Sequence, residues 1–431
     1  MIALIVVSSA EWGQKEVGER VKDEVSALLH DLEGLTISGP IYDIESAQDI
    51  SKKLEDTISG CVLLVATGGT EKIAWTISKT IDVPMLLWAS PSNNSLASSL
   101  ELFAALKDFP IKLLYSPLSP SSIKEIRSFS IISETIMEMK KSRIGVVGGV
   151  SDWILTSSGE ELKRFGPELV VIDTLDLLDE MKMVDELEAK TVFRQLKDGF
   201  GRIEVSEKEM IEAVRVYLAM RKLVSKRNLS AITIRCFDLL KNDCTACIGM
   251  GLCNDDLIPA GCEGDLQAIL TMVVVSSLAS EPCWMANVAR IDKNRITLAH
   301  CTISTRMISD LAGATLVHHM ESGKGVAIRG PMKEGEVTLA RIGRNLDKMS
   351  LAKGRIVKTD MRDPDLCRTQ VEIELEGNAQ DYLTNALGNH QIIVYGDLTE
   401  GLADFSRFKG IEAIIFQKSG WVGLKPGAVK I

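Results

Sequence analysis

Three acidic residues near the middle of the chain stand where a parallel sheet would bring side chains together. Asp238 directly follows an apolar run at 230–236, and Glu263 and Asp265 begin a second apolar run at the segment C-E-G-D. In open parallel sheets, ligands collect beyond the carboxyl ends of the strands, so these three carboxylates are predicted to converge. Acidic residues at a helix start can also simply cap free N–H groups and complement the helix dipole. The residue types alone leave both interpretations open.

A cysteine pattern in the same region suggests a different kind of metal site. Cys244, Cys247, Cys253 and Cys262 have the spacing C-x2-C-x5-C-x8-C, and thiolates are the ligands of zinc and iron–sulfur centres. Two of the four lie in an apolar stretch rich in Gly and Met, where a free cysteine commonly packs as a small hydrophobic residue. The sequence therefore favours packed thiols over a thiolate metal centre.

Two further patterns give weaker signals. The turn A-T-G-G-T-E at 66–71 follows an apolar run, but neither G-x-G-x-x-G nor G-x-x-x-x-G-K-[ST] occurs there or in the glycine-rich segment 144–149, which disfavours nucleotide binding. His318 and His319 are adjacent and would point to opposite faces of a strand. They are therefore a poor joint metal site.

Composition limits the classes of partner. The 431 residues are 45% hydrophobic, 25% charged and 5% aromatic, with a net charge of −10. A net negative charge disfavours a general nucleic-acid binder, and few aromatic residues disfavour a base-stacking surface. No apolar stretch reaches the roughly 18–20 residues of a membrane span, and the first residues lack the features of a signal peptide. With nine cysteines, an odd count, we expect a cytoplasmic protein with free thiols and no structural disulfide.

The secondary-structure elements that must position these residues are predicted to alternate in a βαβ pattern. Apolar runs at 2–7, 61–67, 84–90 and 112–118 alternate with helical patterns near 13–31 and 94–107. Such alternation predicts a parallel sheet with helices on both faces. A helical pattern near 119–141 then leads into a new strand at 142–149.

The rest of the chain divides into a second α/β part and a β-rich part. Strands are predicted at 142–149, 168–174 and 230–236, whereas after about 325 short β-type runs are separated by turn residues. We predict two doubly wound parallel-sheet α/β domains, at 1–140 and 141–325, followed by a mostly β domain at 326–431 that is a barrel or a sandwich.

Several segments resemble the L-fucose/L-arabinose isomerase superfamily, in the order found there. The strongest is G-C-E-G-D-L-Q-A-I-L-T-M at 261–272, preceded by I-T-I-R-C-F-D-L-L at 232–240. The other similar segments are I-G-V-V-G-G-V-S-D-W-I-L at 144–155, L-A-H-C-T-I-S-T-R at 298–306, G-K-G-V-A-I-R-G-P-M-K-E-G-E-V-T-L-A-R-I at 323–342 and A-L-G-N-H-Q-I-I-V-Y-G-D at 386–397. The resemblance covers about 140–400.

The resemblance implies a divalent metal site. It places Glu263 and Asp238 as carboxylate ligands and His390 as the nitrogen ligand, with Asp265 as the alternative to Glu263. Family members often have Glu where this chain has Asp238. Mn²⁺ suits such a ligand set best, and Mg²⁺ is the alternative.

The activity implied is aldose–ketose isomerisation of a small sugar through an enediolate, with Asp238 and Glu263 moving the proton. The similarity makes His300, Arg306, Trp88 and Trp153 candidates for sugar binding, although core packing is the alternative for both tryptophans. It also implies a homo-oligomer, a trimer or hexamer. A sugar-binding relative that keeps the fold without this catalysis is the alternative function.

Overall fold

The structure is a computed structural model that describes residues 1–11, 13–107 and 109–425, without the side chains of 163 and 164. The chain forms two compact units. Unit 1 comprises 1–138, 403–412 and the segment from 424, and unit 2 comprises 139–402 and 413–423. No helix in the described part is both long enough and apolar enough to cross a membrane.

Unit 1 is built on a parallel sheet of five strands in the order β2-β1-β3-β4-β5. The strands are β1 (Ile2–Val7), β2 (Leu35–Ile41), β3 (Gly60–Val65), β4 (Met85–Ala89) and β5 (Ile111–Tyr115). The helices are α1 (Gln14–Leu28), α2 (Ile44–Leu54), α3 (Glu71–Thr80), α4 (Ser95–Ala105) and α5 (Pro120–Lys141). Every residue of β1, β3 and β4 is buried because helices cover the sheet, which is why these strands read as continuous apolar runs.

Unit 2 begins with a second parallel sheet, of four strands in the order β10-β9-β6-β7. Its strands are β6 (Arg143–Val147), β7 (Glu168–Ile172), β9 (Ala231–Ile234) and β10 (Ala260–Cys262), and β8 (Arg202–Ile203) lies between them in sequence. The helices of this part are α6 (Gly159–Phe165), α7 (Thr174–Lys182), α8 (Glu186–Gly199), α9 (Glu207–Arg227), α10 (Cys247–Asp255) and α11 (Leu266–Ala279). A 3₁₀ helix spans Cys236–Asn242.

The later part of unit 2 is an antiparallel barrel. Six strands close in the order β15-β18-β11-β12-β17-β16, with β16 pairing back to β15, and β19 and β20 extend this sheet from β16. The strands are β11 (Trp284–Asp292), β12 (Arg295–His300), β15 (Gly335–Ile342), β16 (Lys348–Thr359), β17 (Thr369–Leu375), β18 (His390–Tyr395), β19 (Glu412–Gln417) and β20 (Gly420–Leu424). The small strands β13 (Thr315–Val317) and β14 (Ala327–Arg329) form a separate sheet with β8. The helices in this part of the sequence are α12 (Ala379–Tyr382) and α13 (Thr399–Phe408), and most of α13 belongs to unit 1.

This architecture confirms the predicted fold class: two parallel-sheet α/β parts and a mostly β region, which is a barrel rather than a sandwich. Strands β11 and β12 of the barrel precede residue 326 in sequence. The division into domains at 1–140, 141–325 and 326–431 stays a prediction.

Candidate active site

The C-E-G-D segment forms a tight turn between a strand and a helix. Strand β10 ends at Cys262, Glu263 and Gly264 both adopt left-handed backbone with φ of 63° and 67°, and Asp265 then caps α11 by accepting from Ala268 N. A Cβ on Gly264 would lie 2.1 Å from the carbonyl oxygen of Gly149, so only glycine fits. A positive φ at a non-glycine residue such as Glu263 is strained, and such strain is concentrated at functional sites.

A second turn, at 148–153, holds Glu263 in place. Ser151 N donates to the Glu263 carbonyl oxygen at 2.9 Å, and Trp153 Nε1 donates to Glu263 Oε2 at 2.6 Å. The Trp153 ring packs edge-on against Phe237 and is 50% exposed. The glycine-rich segment at 144–149 and the C-E-G-D segment therefore meet in the structure. The partly exposed indole of Trp153 orients the carboxylate of Glu263.

Glu263 belongs to a group of side chains suited to a cation. Ligand atoms of Cys262, Glu263 and His300 all lie within 4.8 Å of one another, and no other such group of His, Cys, Asp and Glu side chains occurs in the described part of the chain. The Cys262 thiol has a pKa well above its ordinary value, because of its hydrogen bond with Cys236 and its burial. A carboxylate and an imidazole fit a divalent cation. Glu263 is the anionic member of the group.

His300 ends strand β12 and is buried. Its Nδ1 lies 3.0 Å from Thr302 Oγ1, and its ring lies edge-on to that of His390, with centroids 5.6 Å apart. Burial, and then the neighbouring His390, lower the pKa of His300 to about 3. The imidazole is therefore neutral at ordinary pH, which is the form that binds a metal or hydrogen-bonds a hydroxyl.

His390, the first residue of β18, is fully buried and lies beside Asp265. Its Nδ1 is 2.9 Å from Asp265 Oδ2, and its Nε2 has no hydrogen-bond partner among the described residues. Asp265 also contacts Arg341. Burial alone would raise the pKa of Asp265, but Arg341 and His390 together lower it below its usual range. The carboxylate is therefore ionised.

Asp238 lies in the 3₁₀ helix after β9 and is partly exposed. Its Oδ1 is 3.6 Å from Arg235 Nε, and its Oδ2 lies 3.2 Å from where a Cβ on Gly148 would be. Arg235 in turn donates to the carbonyl of Val150 and to Asp152. Asp238 thus lies near the 148–153 turn that holds Glu263. Of the predicted ligands only Glu263 belongs to the group formed with Cys262 and His300, and Asp238 and His390 lie outside it.

The remaining predicted residues have other partners. Arg306 donates to the carbonyl of Asp255 and pairs with Glu281. Trp88 is fully buried in β4 of unit 1 and donates to the Ser116 carbonyl. These contacts match the core-packing interpretation of Trp88, and Trp153 is the tryptophan that contacts a predicted site residue.

The four cysteines of the C-x2-C-x5-C-x8-C pattern do not assemble into one site. Cys244 contacts the Leu239 carbonyl, whereas Cys247 packs in a small apolar cluster with Cys301 and Cys367. All nine cysteines are free thiols. Their burial agrees with packed thiols rather than a thiolate metal centre.

Sequence reasoning missed one charged residue of this region, Arg341, and treated Cys262 as part of a cysteine pattern rather than as a neighbour of Glu263 and His300. Arg341 is fully buried in the barrel strand β15. An arginine inside the apolar run V-T-L-A-R-I was a usable signal, because arginine is almost never fully buried unless it is paired.

Comparisons with known proteins agree with a sugar isomerase. No family model matches the chain. It is 25% identical over 307 residues to sulfoquinovose isomerases of Priestia aryabhattai and Priestia megaterium, covering 66% of this chain and 67% of each relative. It is 22% identical over 438 residues to the sulfoquinovose isomerase of Alkalicoccus urumqiensis, covering 93% of this chain and 96% of the relative. None of these names mentions L-fucose or L-arabinose, so that part of the resemblance stays a prediction. The similarity to these three proteins, one of them over almost the whole chain, supports a relation to sugar isomerases.

Proposed function

We propose that this protein is a metal-dependent aldose–ketose isomerase that acts on a small sugar through an enediolate, with Glu263 as the carboxylate ligand of a divalent cation. The observation that carries the proposal is the group formed by Glu263, His300 and Cys262, with ligand atoms within 4.8 Å of one another. The unpartnered Nε2 of the buried His390, whose ring adjoins that of His300, supports it. The relation to sugar isomerases agrees with this reaction.

The residues present fit a hard or borderline cation. Glu263 supplies an anionic oxygen, and His300 and His390 supply imidazole nitrogens, a set that suits Mn²⁺ and, less well, Mg²⁺. The high pKa of the Cys262 thiol, due to Cys236 and burial, favours these oxygen and nitrogen donors over sulfur. When bound, the cation would polarise two neighbouring sugar oxygens and stabilise the negative charge of the enediolate.

The carboxylates of the chain would move the proton. Asp238 is partly exposed and its Oδ1 lies 3.6 Å from Arg235 Nε, so its carboxylate is oriented and can be reached by a substrate. In our proposal Asp238 takes the C–H proton from one sugar carbon and returns it to the adjacent carbon, while the hydroxyl proton passes between the two oxygens. Glu263 is the alternative proton carrier. Its Oε2 accepts from Trp153 Nε1, which fixes the orientation of the carboxylate.

We propose that Trp153 contacts the sugar. Its ring is half exposed while its Nε1 is bound to Glu263, so it offers an apolar face beside a polar group. This feature would also serve a non-catalytic sugar-binding protein, which is the alternative function. The isomerase and the sugar-binding protein differ in their response to chelation, because a binding protein would keep its affinity for sugar without a metal.

The experiment that tests the proposal compares wild type with Glu263→Gln after EDTA treatment and after addition of Mn²⁺. Sugars are screened for ketose formation, and sulfoquinovose is the first to assay because of the relatives' names. We expect activity that needs Mn²⁺ and falls by about 10²–10⁴-fold in the variant. Activity that is indifferent to both changes refutes the mechanism, and sugar binding without turnover in EDTA favours the alternative.

We also propose that the protein is a homo-oligomer, a trimer or a hexamer. Large apolar side chains of unit 2 are well exposed, among them Leu155 at 75% and Val171 at 80%, and exposed apolar residues are common at interfaces between subunits. Light scattering coupled to size-exclusion chromatography would measure the mass. A monomer would contradict this part of the proposal.

A further inference from the structure

Three charged or polar side chains are buried together where α11 meets the barrel. Arg341 and His390 have no exposed side-chain surface, and the side chain of Asp265 is 2% exposed. Buried charges are costly unless they are paired and hydrogen-bonded, so their partners determine what each can do. These three come from the start of α11, β15 and β18, which are distant in sequence.

Asp265 uses both of its carboxylate oxygens within the protein. Oδ1 accepts from the backbone N–H of Ala268 and from Arg341 Nη2, each at 3.0 Å. Oδ2 lies 3.0 Å from Arg341 Nη1 as an ion pair and 2.9 Å from His390 Nδ1. Arg341 Nη1 makes this ion pair without a hydrogen bond, but the guanidinium and the His390 ring both lie against Oδ2 of a carboxylate that is only 2% exposed. These contacts favour a supporting role for Asp265 over that of a cation ligand.

The same contacts determine which ring nitrogen of His390 carries the hydrogen. An ionised carboxylate can only accept hydrogen bonds, so the ring nitrogen beside it, Nδ1, must carry the hydrogen. The other nitrogen, Nε2, then has a free lone pair, and it is the buried atom without a partner among the described residues. A carboxylate that holds one histidine nitrogen so that the other can bind a metal is a recurring arrangement in metal sites.

Arg341 is the residue that makes this arrangement stable. Without its guanidinium, Asp265 would be a buried carboxylate with no cationic partner, and the contacts that orient its two oxygens towards Ala268 N and His390 Nδ1 would be incomplete. The space around Arg341 is shaped for this side chain, because a Cβ on Gly388 would lie 3.0 Å from its Nε and Nη2. Thr156 Oγ1 accepts a further hydrogen bond from Nη2 at 3.2 Å.

We propose that Arg341 is a positioning residue: it holds Asp265 as the anchor of His390 and so keeps Nε2 of His390 free to join Glu263 and His300 around a cation. His390 itself lies outside the group that Cys262, Glu263 and His300 form. This inference rests on the proposed function for the identity of the cation. It also assigns the two acids of the C-E-G-D turn to different tasks, with Glu263 as ligand and Asp265 as support.

The first test measures Mn²⁺ binding without any sugar, by the electron paramagnetic resonance signal of free Mn²⁺. Arg341→Gln is expected to weaken binding about 10–100-fold, the usual effect of removing an outer partner of a metal ligand. Arg341→Lys keeps the charge and should restore part of the affinity. The matched control is Arg344→Gln, since Arg344 is exposed and its Nη1 donates only to the Leu155 carbonyl in the structure. Wild-type affinity in both Arg341 variants would overturn the proposal.

The second test does not depend on the metal. Nitrogen-15 NMR of the metal-free protein, assigned with His390→Gln, reports which ring nitrogen carries the hydrogen. We expect the Nδ1–H form in wild type and a mixture in Arg341→Gln, or in Arg341→Lys if the first variant does not fold. A wild-type ring protonated on Nε2 would overturn the proposal even if the enzyme is an isomerase. Failure of wild type to bind Mn²⁺ would instead count against the proposed function while the NMR result stands.

Discussion

The two parallel sheets of this chain differ in the residues at the carboxyl ends of their strands. In the unit 1 sheet these side chains are small hydroxyls that bond to one another and to the backbone: Ser9 N donates to Thr67 Oγ1 at 2.8 Å, and Thr70 lies 3.1 Å from Ser98. Thr67, Thr70 and Ser98 are buried. In the unit 2 sheet the corresponding residues include Glu263 and Asp238, which are partly exposed and oriented by their neighbours.

This difference shows that sheet topology alone does not determine the site. Both sheets provide an edge where ligands could collect, but in unit 1 the hydroxyls of Thr67, Thr70 and Ser98 have partners within the protein. In unit 2 strain, charge and an exposed indole occur together beside Glu263. The residues in the loops decide the function, while the strands provide similar supports.

The largest expected effect is on stability, when the glycine that follows a strand at each of these two sheet edges is replaced by alanine. Gly69 comes after β3 with a φ of +77° and open space where a Cβ would lie, whereas Gly264 comes after β10 with a φ of +67° and the Gly149 carbonyl oxygen 2.1 Å from that position. Gly264→Ala should lower the free energy of unfolding by about 3 kcal/mol or more, because strain and clash combine. Gly69→Ala should cost about 1–2 kcal/mol from φ alone. Urea denaturation measures both, and equal losses would show that the contact with Gly149 is unimportant.

Comparing variants of Asp238 with variants of its neighbour Asp152 distinguishes proton transfer by Asp238 from simple ion pairing with Arg235. Both acids contact Arg235, but Asp152 is 81% exposed. If Asp238 moves the substrate proton, Asp238→Asn should reduce kcat about 100-fold, or about 2.7 kcal/mol of barrier. Asp152→Asn should change kcat less than about threefold, since exposed ion pairs contribute little. Similar kcat values for both variants would contradict the role of Asp238.

The buried His300 predicts a pH dependence of stability in the metal-free protein. Its pKa of about 3 in the folded state lies below the ordinary 6.5, because of burial and His390. The unfolded chain therefore binds a proton that the folded chain does not, and the free energy of unfolding falls as the pH drops from about 6.5 towards 3, by up to about 1.4 kcal/mol per pH unit. His300→Gln should remove this part of the slope.

The control for that measurement is His30→Gln in unit 1, because the His30 side chain is 70% exposed. This variant should keep the wild-type slope between about pH 6.5 and 3. Denaturant midpoints across the pH range provide the data. A slope that is unchanged in His300→Gln would mean that His300 is not protected from protonation in the folded protein.

The smallest effect is expected at the edge of unit 1. Thr67→Val removes the acceptor of the Ser9 N–H and should cost about 1 kcal/mol of stability, the typical value for one lost hydrogen bond. It should leave kcat and the affinity for Mn²⁺ unchanged. A large loss of activity with normal stability would show that the edge of the unit 1 sheet takes part in catalysis. The proposed difference between the two sheet edges would then be wrong.

The fold class could be predicted from the sequence because the buried parallel strands are continuous apolar runs. The runs at 2–7 and 84–90 correspond to β1 and β4. Strand β2 (Leu35–Ile41), at the edge of its sheet, was missed because its residues are mostly half-buried and it contains Gly39 and Pro40. Strand β11 was missed because its apolar start runs into the polar end A-R-I-D.

For the site, the sequence placed Glu263 and Asp265 at the start of a helix. In the structure Asp265 caps α11, whereas Glu263 lies in the turn between β10 and that helix. The environments of the two acids could not be predicted. That Asp265 pairs with Arg341 depends on contacts between residues 76 positions apart. The orientation of Glu263 likewise depends on Trp153, 110 positions earlier in the chain. Long-range contacts of this kind are not encoded in local spacing.

The most direct test of the central claim, that Glu263 binds a divalent cation, is anomalous diffraction from crystals grown with Mn²⁺. We expect an anomalous peak at coordination distance from the Glu263 carboxylate, from an imidazole nitrogen of His300 and from Nε2 of His390. Binding of Mn²⁺ only at other acidic residues, or the absence of a peak at Glu263 in crystals of an active preparation, would contradict it.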